Sequence, residues 1–321
     1  MSGTDKLTIN MAKKDKKNRL GVTEVNFIAL ILALIFITVG SKVQKRDFFN
    51  GILINEFIFI LLPGIVLLRK SDVKKVLKLN KRPPIDWLRV VLITILFYPV
   101  VLLANGLFLT FLSNTYELKD FSLDMLQHNR SIFVYIFYMG LVPCICEEVF
   151  FRGALMNAYE QYGNWFAIFC SAAVFAIFHF DPQNLLAPFM LGILFAVVME
   201  ASGSLYAAMI AHFTNNVLGI LGAKYFNGTI FNFLKGTRLV WEVGSVQFFT
   251  IIVLIILSAI SLFLIVRLYN GMRKNAIRDG SIQEMKLKYK FDIMSFWPIF
   301  VMVIVYFIYL RLNYNVKGIF L

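Results

Sequence analysis

Nine apolar runs, most of them about as long as a membrane crossing, leave this chain few folds to choose from. They lie near 22–40, 49–68, 87–113, 131–156, 164–180, 184–200, 203–222, 246–269 and 294–313. A bilayer's hydrocarbon core takes ~20 residues of helix to cross and offers no water to backbone polar groups, so spans of this kind must satisfy their own hydrogen bonds. The fold expected is therefore all-α: a polytopic integral membrane helical bundle of about 8–9 transmembrane helices. The hydrophobic share of 59% and the mean hydropathy of +0.72 lie outside the balance of a soluble domain and agree with that reading.

The formal net charge is +13, yet Lys and Arg stand in short blocks between apolar runs rather than along an aromatic-interleaved face. That pattern orients a membrane protein and argues against a nucleic-acid partner. The basic segment Arg69 to Arg89 and the block Arg273, Lys274, Arg278, Lys286, Lys288 and Lys290 are expected inside, with the basic tail Met1 to Arg19. The segment Asn114–Arg130, with Glu117, Asp120 and Asp124, is expected outside. The first run is read as a retained helix, since it is long for a signal-peptide core and lacks a small-residue cleavage site. The chain divides into a basic cytoplasmic tail (1–21), N-terminal transmembrane helices (22–130), a membrane core (131–222), and a C-terminal loop with further transmembrane helices (223–321). Cys144, Cys146 and Cys170 all fall in apolar runs and read as small apolar side chains rather than a disulfide or metal set.

Against this background the stretch Pro143 to Arg152 stands out, because Glu147, Glu148 and Arg152 lie in an apolar run. Ionisable groups at that depth cost roughly 2.5–3.5 kcal/mol or more, which marks them as a candidate functional site. Glu148 and Arg152 are one helical turn apart and can pair, leaving Glu147 without a local partner. Two more polar patterns follow on later runs: Phe175-x-x-x-His179, and His212-x-x-x-Asn216, whose imidazole and carboxamide share a helix face. Taken singly, these are a Glu–Arg brace, a histidine satisfied at a helix end, and a polar pair gluing helices. Spacing ties them together. Glu147 and His179 each lie 16 residues from Gly163, so a hairpin turning there brings them to one depth, roughly 20–24 Å from the turn. His212 reaches that depth if the turn projects beyond the membrane. His128, in a polar segment, is expected to be exposed and idle.

The ordered set E-E-x-x-x-R, F-x-x-x-H and H-x-x-x-N resembles the CPBP family of intramembrane proteases, also called Abi or CAAX-protease-like, over about residues 131–222. That family includes the eukaryotic CAAX prenyl endopeptidase and bacterial bacteriocin-immunity and processing proteins. The resemblance implies that Glu147 and His179 activate the attacking water and that His212 and Asn216 stabilise the oxyanion. Glu148, Arg152 and Phe175 would be supporting residues. The family is described both as metal-dependent and as a metal-free glutamate type. Zinc therefore stays open as a cofactor, with Glu147, His179 and His212 as candidate ligands, although H-E-x-x-H is absent.

No G-x-S-G or G-x-G-D is present, which disfavours serine and aspartyl intramembrane proteases. Ser202 and Ser204, flanking Gly203, are expected to cap the following helix. Buried charge is expected to be confined to this one region, which weighs against a proton-coupled transporter. The stretch Tyr225–Gly244, rich in Phe, Leu and Trp, suggests an interfacial helix or lid.

The expected activity is endoproteolysis of a membrane-associated, lipidated or unlipidated protein or peptide, with the lipid bilayer as the other partner. The alternatives are a non-catalytic binding or immunity protein on the same fold, or a transporter. The abundance of Lys, Ile, Phe and Asn suggests a bacterial plasma membrane with the N-terminus cytoplasmic.

Overall fold

The computed structural model describes residues 20–69, 71–116, 128–225, 245–282 and 290–314. The tail 1–19, the acidic residues Glu117, Asp120 and Asp124, Lys286 and Lys288, and nearly all of the aromatic stretch up to Gly244 lie outside these. The described residues are helical, with no sheet. Among the described residues, nine apolar helices follow one another: α1 (Val22–Arg46), α2 (Phe48–Leu68), α3 (Pro84–Ser113), α4 (Ile132–Tyr162), α5 (Asn164–Ile177), α6 (Leu186–Ser202), α7 (Leu205–Tyr225), α8 (Ser245–Arg278) and α9 (Ile293–Asn313). Seven are long and apolar enough to cross a membrane, making this an integral multi-pass protein. The exceptions are α5 and α6, with 14 and 17 residues. At ~1.5 Å per residue they reach only ~21 and ~25 Å, short of the ~30 Å hydrocarbon core.

Several helices outlast the apolar runs that announce them. Lys42, Lys45 and Arg46 close α1, and Arg273, Lys274 and Arg278 extend α8, all of them beyond the apolar runs 22–40 and 246–269. Lys and Arg are good helix formers, so the backbone continues after hydropathy has fallen.

Helices α4 to α7 form the centre. The α4–α5 hairpin turns at Gly163, whose φ of +118° is closed to side-chain-bearing residues. α5 packs on α6, and α6 on α7. Around them, α2 lies along α4, α9 packs on α1, and α8 packs along α3, which also touches α6 and α7. Gly192 permits the close α5–α6 approach, since a Cβ there would stand 3.0 Å from the Cβ of Ala172.

One end of the centre is clamped by the segment before α3. Lys78 Nζ bonds Glu160 at 2.7 Å and also pairs with Glu200, while Asn164 Nδ2 donates to Glu200 at 2.8 Å. The expected caps are built differently. The Ser204 hydroxyl donates to the Asn80 carbonyl at 2.6 Å, and the Ser202 hydroxyl to the Met199 carbonyl at 3.2 Å. Both serve the α6–α7 turn and its clamp, because Asn80 arrives there with its own carbonyl needing a donor.

Candidate active site

Helix α4 is not a regular α-helix. It widens to π-type turns over Ile136–Leu141 and again over Val149–Leu155, on either side of Pro143 and the two glutamates. Proline cannot donate to the carbonyl four residues back and crowds it, so the preceding turn opens. The carbonyl left over here is that of Met139, and Asn216 on α7 supplies the missing donor, its Nδ2 lying 3.1 Å away. In lipid such a carbonyl must find a partner inside the protein. Pro143 thereby fixes the carboxamide of Asn216 next to the segment that carries Glu147.

Arg152 is fully buried and held through both terminal nitrogens. Its Nη1 donates to Glu148 Oε1 at 3.0 Å and its Nη2 to the Gly192 carbonyl at 3.2 Å. The guanidinium lies 4.4 Å from the Phe175 ring centroid and 5.4 Å from that of Phe195, a delocalised cation between two aromatic faces. Glu148 Oε1 also accepts from His212 Nδ1 at 2.9 Å, and the His212 ring stacks on Phe195 with centroids 4.8 Å apart. A carboxylate only accepts, so His212 carries its proton on Nδ1 and turns Nε2 toward Glu147, whose Oε2 stands 3.8 Å away.

His179 lies just beyond the end of α5. Its Nδ1 contacts the Phe175 carbonyl at 3.0 Å. Because a carbonyl cannot donate, Nδ1 bears the proton and Nε2 keeps its lone pair. The next residue, Phe180, has φ +47°, a strained conformation for a large side chain. Its ring is gripped among Phe36, Phe178, Tyr306 and Tyr309, which ties the His179 turn to α1 and α9.

A cavity of ≈ 350 Å³ is lined by Glu147, His179, His212 and Asn216. Glu148 and Arg152 stand behind it and do not line it. Glu147 and His179 have no direct hydrogen bond among the described contacts; the imidazole nearest Glu147 is that of His212. A second cavity, of ≈ 450 Å³, meets the first at Met139 and Asn216 and is lined by the carboxamides of Asn105, Asn184 and Asn215.

One residue of the cavity is missing from the sequence reading. Glu56, in a π-type segment of α2 just before Pro63, is buried, lines the same cavity, and lies within hydrogen-bonding reach of Glu147. Buried charge is therefore not confined to 131–222. The signal was present as Asn55-Glu56 inside an apolar run, but it lacked a spaced partner of its own.

His128 is exposed and rests on Phe48, with ring centroids 4.5 Å apart. Cys144 and Cys146 are buried free thiols, and Cys170 is a half-buried one.

Among the described residues, no three His, Cys, Asp or Glu side chains converge on a point that could hold a metal ion. Glu147, His179 and His212 share a cavity without forming a ligand set, so the chemistry below uses side chains alone.

Residues 129–218, which cover α4 to α6 and most of α7, match the family described as type II CAAX prenyl endopeptidase Rce1-like. Comparison of the chain with curated proteins and with solved structures found no match. Over residues 129–218, 90 of its 321 residues, the chain thus resembles a CAAX protease-like family.

Proposed function

We propose that the protein is an intramembrane endopeptidase whose Glu147 and His179 activate a water for attack on a peptide carbonyl. The observation that carries this reading is the one cavity that brings Glu147, His179, His212 and Asn216 together within apolar helices. Amide hydrolysis needs a base for the water proton and donors for the developing oxyanion. Glu147 takes the proton, while the free Nε2 of His179 orients the water. The oxyanion is met by Asn216, through the amide hydrogen not engaged by Met139, and by His212. With Nδ1 bonded to Glu148, His212 meets the oxyanion from Nε2 as a doubly protonated ring, whose charge opposes that of the oxyanion itself. The proton taken from water then passes to the leaving amine nitrogen as the C–N bond breaks.

The substrate is a membrane-associated protein or peptide, lipidated or not. It lies across the carboxamide-lined second cavity, where Asn side chains replace water as partners of its backbone. The N-terminus and the Lys78 clamp face the cytoplasm of a bacterium.

The test is to present the purified protein in lipid with a library of lipidated and unlipidated peptides and to read products by mass, for wild type and His179→Ala. Wild-type cleavage that falls at least a hundredfold in His179→Ala supports the proposal; the absence of wild-type cleavage contradicts it. Cleavage that survives chelation, with metal below one equivalent, supports the metal-free route. Loss that zinc restores overturns that route.

A further inference from the structure

We infer that Glu56 and Glu147 form a carboxyl pair sharing one proton, with Glu56 the positioning partner through which Glu147 works as a base. This rests on the proposed hydrolysis. Glu56 has less than a tenth of its surface exposed, and its Oε2 has no hydrogen-bond partner. An ionised carboxylate left so in hydrocarbon is costly, and such residues persist where they have work to do. Its carboxyl reaches that of Glu147 across the cavity. Two ionised carboxylates are acceptors only, so a hydrogen bond between them requires one proton, and that proton leaves the pair with a single negative charge.

The groups facing the pair make this arrangement self-consistent. From α4 come Glu148 and Arg152, which neutralise each other at 3.0 Å, and the Cys144 and Cys146 thiols. From α7 comes His212, 3.8 Å from Glu147, and from the end of α5 His179, with its Nε2 unprotonated. Among the described residues, neither Lys nor a further Arg reaches Glu56, so the pair's own proton is what offsets its second charge.

The proton count closes over a turnover. The resting pair holds one proton. Glu147 accepts a second from the attacking water as the new C–O bond forms. One of the two leaves to the amine nitrogen as the C–N bond breaks, and the pair returns to one. Glu56 keeps the other throughout, so Glu147 begins each cycle ionised beside a neutral neighbour.

Two readouts test this. The first needs no substrate. The infrared difference between wild type and Glu56→Gln at neutral pH should show the C=O stretch of a protonated carboxylic acid in the wild type only, and its absence overturns the inference. The second follows kcat/KM against pH in a preparation that cleaves peptide. In Glu56→Gln the acid limb should move to higher pH by about one unit or more, because an amide N–H is a weaker donor to the ionised Glu147 than the carboxylic acid it replaces. Glu56→Asp, which keeps the carboxyl, should retain the wild-type profile. An unchanged profile in Glu56→Gln, with wild type active, overturns the proton sharing and leaves the endopeptidase reading intact. A wild type that cleaves nothing sinks that reading, while the infrared band still decides the pair.

Discussion

Arg152 does not line the cavity, yet the orientation of His212 depends on it. It neutralises Glu148, and Glu148 in turn fixes which His212 nitrogen faces Glu147. Arg152→Met should leave a buried carboxylate without its charge partner and cost about 3–5 kcal/mol, read as a lower unfolding midpoint. Arg152→Lys should not rescue it, because an ammonium cannot reach Glu148 and the Gly192 carbonyl while lying flat between Phe175 and Phe195. A midpoint within experimental error of wild type for Arg152→Lys would contradict this account. The Glu148–Arg152 pairing was legible in sequence because both partners sit one turn apart on one helix. Glu56 was not: its partner is on another helix, and only the packing of α2 along α4 brings the two carboxyls together.

At the scale of the element, the informative irregularity is the widened α4. Pro143→Ala restores an N–H for the Met139 carbonyl and competes with Asn216 for it. The helix should be no less stable, but Asn216 should lose its fixed position, and kcat should fall about tenfold to a hundredfold with little change in KM. Unchanged kcat would show that the Met139–Asn216 bond does not position the carboxamide. Hydropathy located the nine apolar helices, since ~20 apolar residues have few alternatives, but not the short Val73–Val76 helix in the basic segment. It misjudged ends such as those of α1 and α8, where Lys and Arg prolong the helix beyond the apolar run. The widened turns beside Pro143 had a sequence cue in the proline, but whose donor would answer the orphaned carbonyl depends on where α7 packs.

For the whole molecule, the Lys78 clamp joins the segment before α3 to the ends of α4 and α6. Burial by itself would lower the Lys78 pKa, but Glu160 and Glu200 more than offset that and hold the ammonium above its ordinary value of 10.5. Its contribution to stability is therefore fully present below the ordinary lysine value and is lost as pH rises through the higher folded value. The clamp should stay constant through neutral pH and fail only in strongly alkaline medium. Lys78→Met should leave two carboxylates facing each other. With 24% of the lysine side chain exposed, the cost is about 1–3 kcal/mol rather than the ~3–5 of a fully buried pair. A flat unfolding midpoint in that variant would remove the clamp from the account. The meeting of Glu147 and His179 in one cavity was foreshadowed by their equal spacing from Gly163, because a helical hairpin converts spacing into depth. The covering helices α1, α2 and α9 left no such mark, since aromatic packing such as the grip on Phe180 has no fixed spacing in sequence.

The central claim is that Glu147 is the base, and the most direct measurement is single-turnover cleavage of one identified peptide by wild type and Glu147→Gln under the same conditions. The isosteric amide keeps the cavity's shape and removes the base, so the account predicts binding within a few-fold of wild type and a cleavage rate at least 10²-fold lower. Cleavage by Glu147→Gln at the wild-type rate would contradict it.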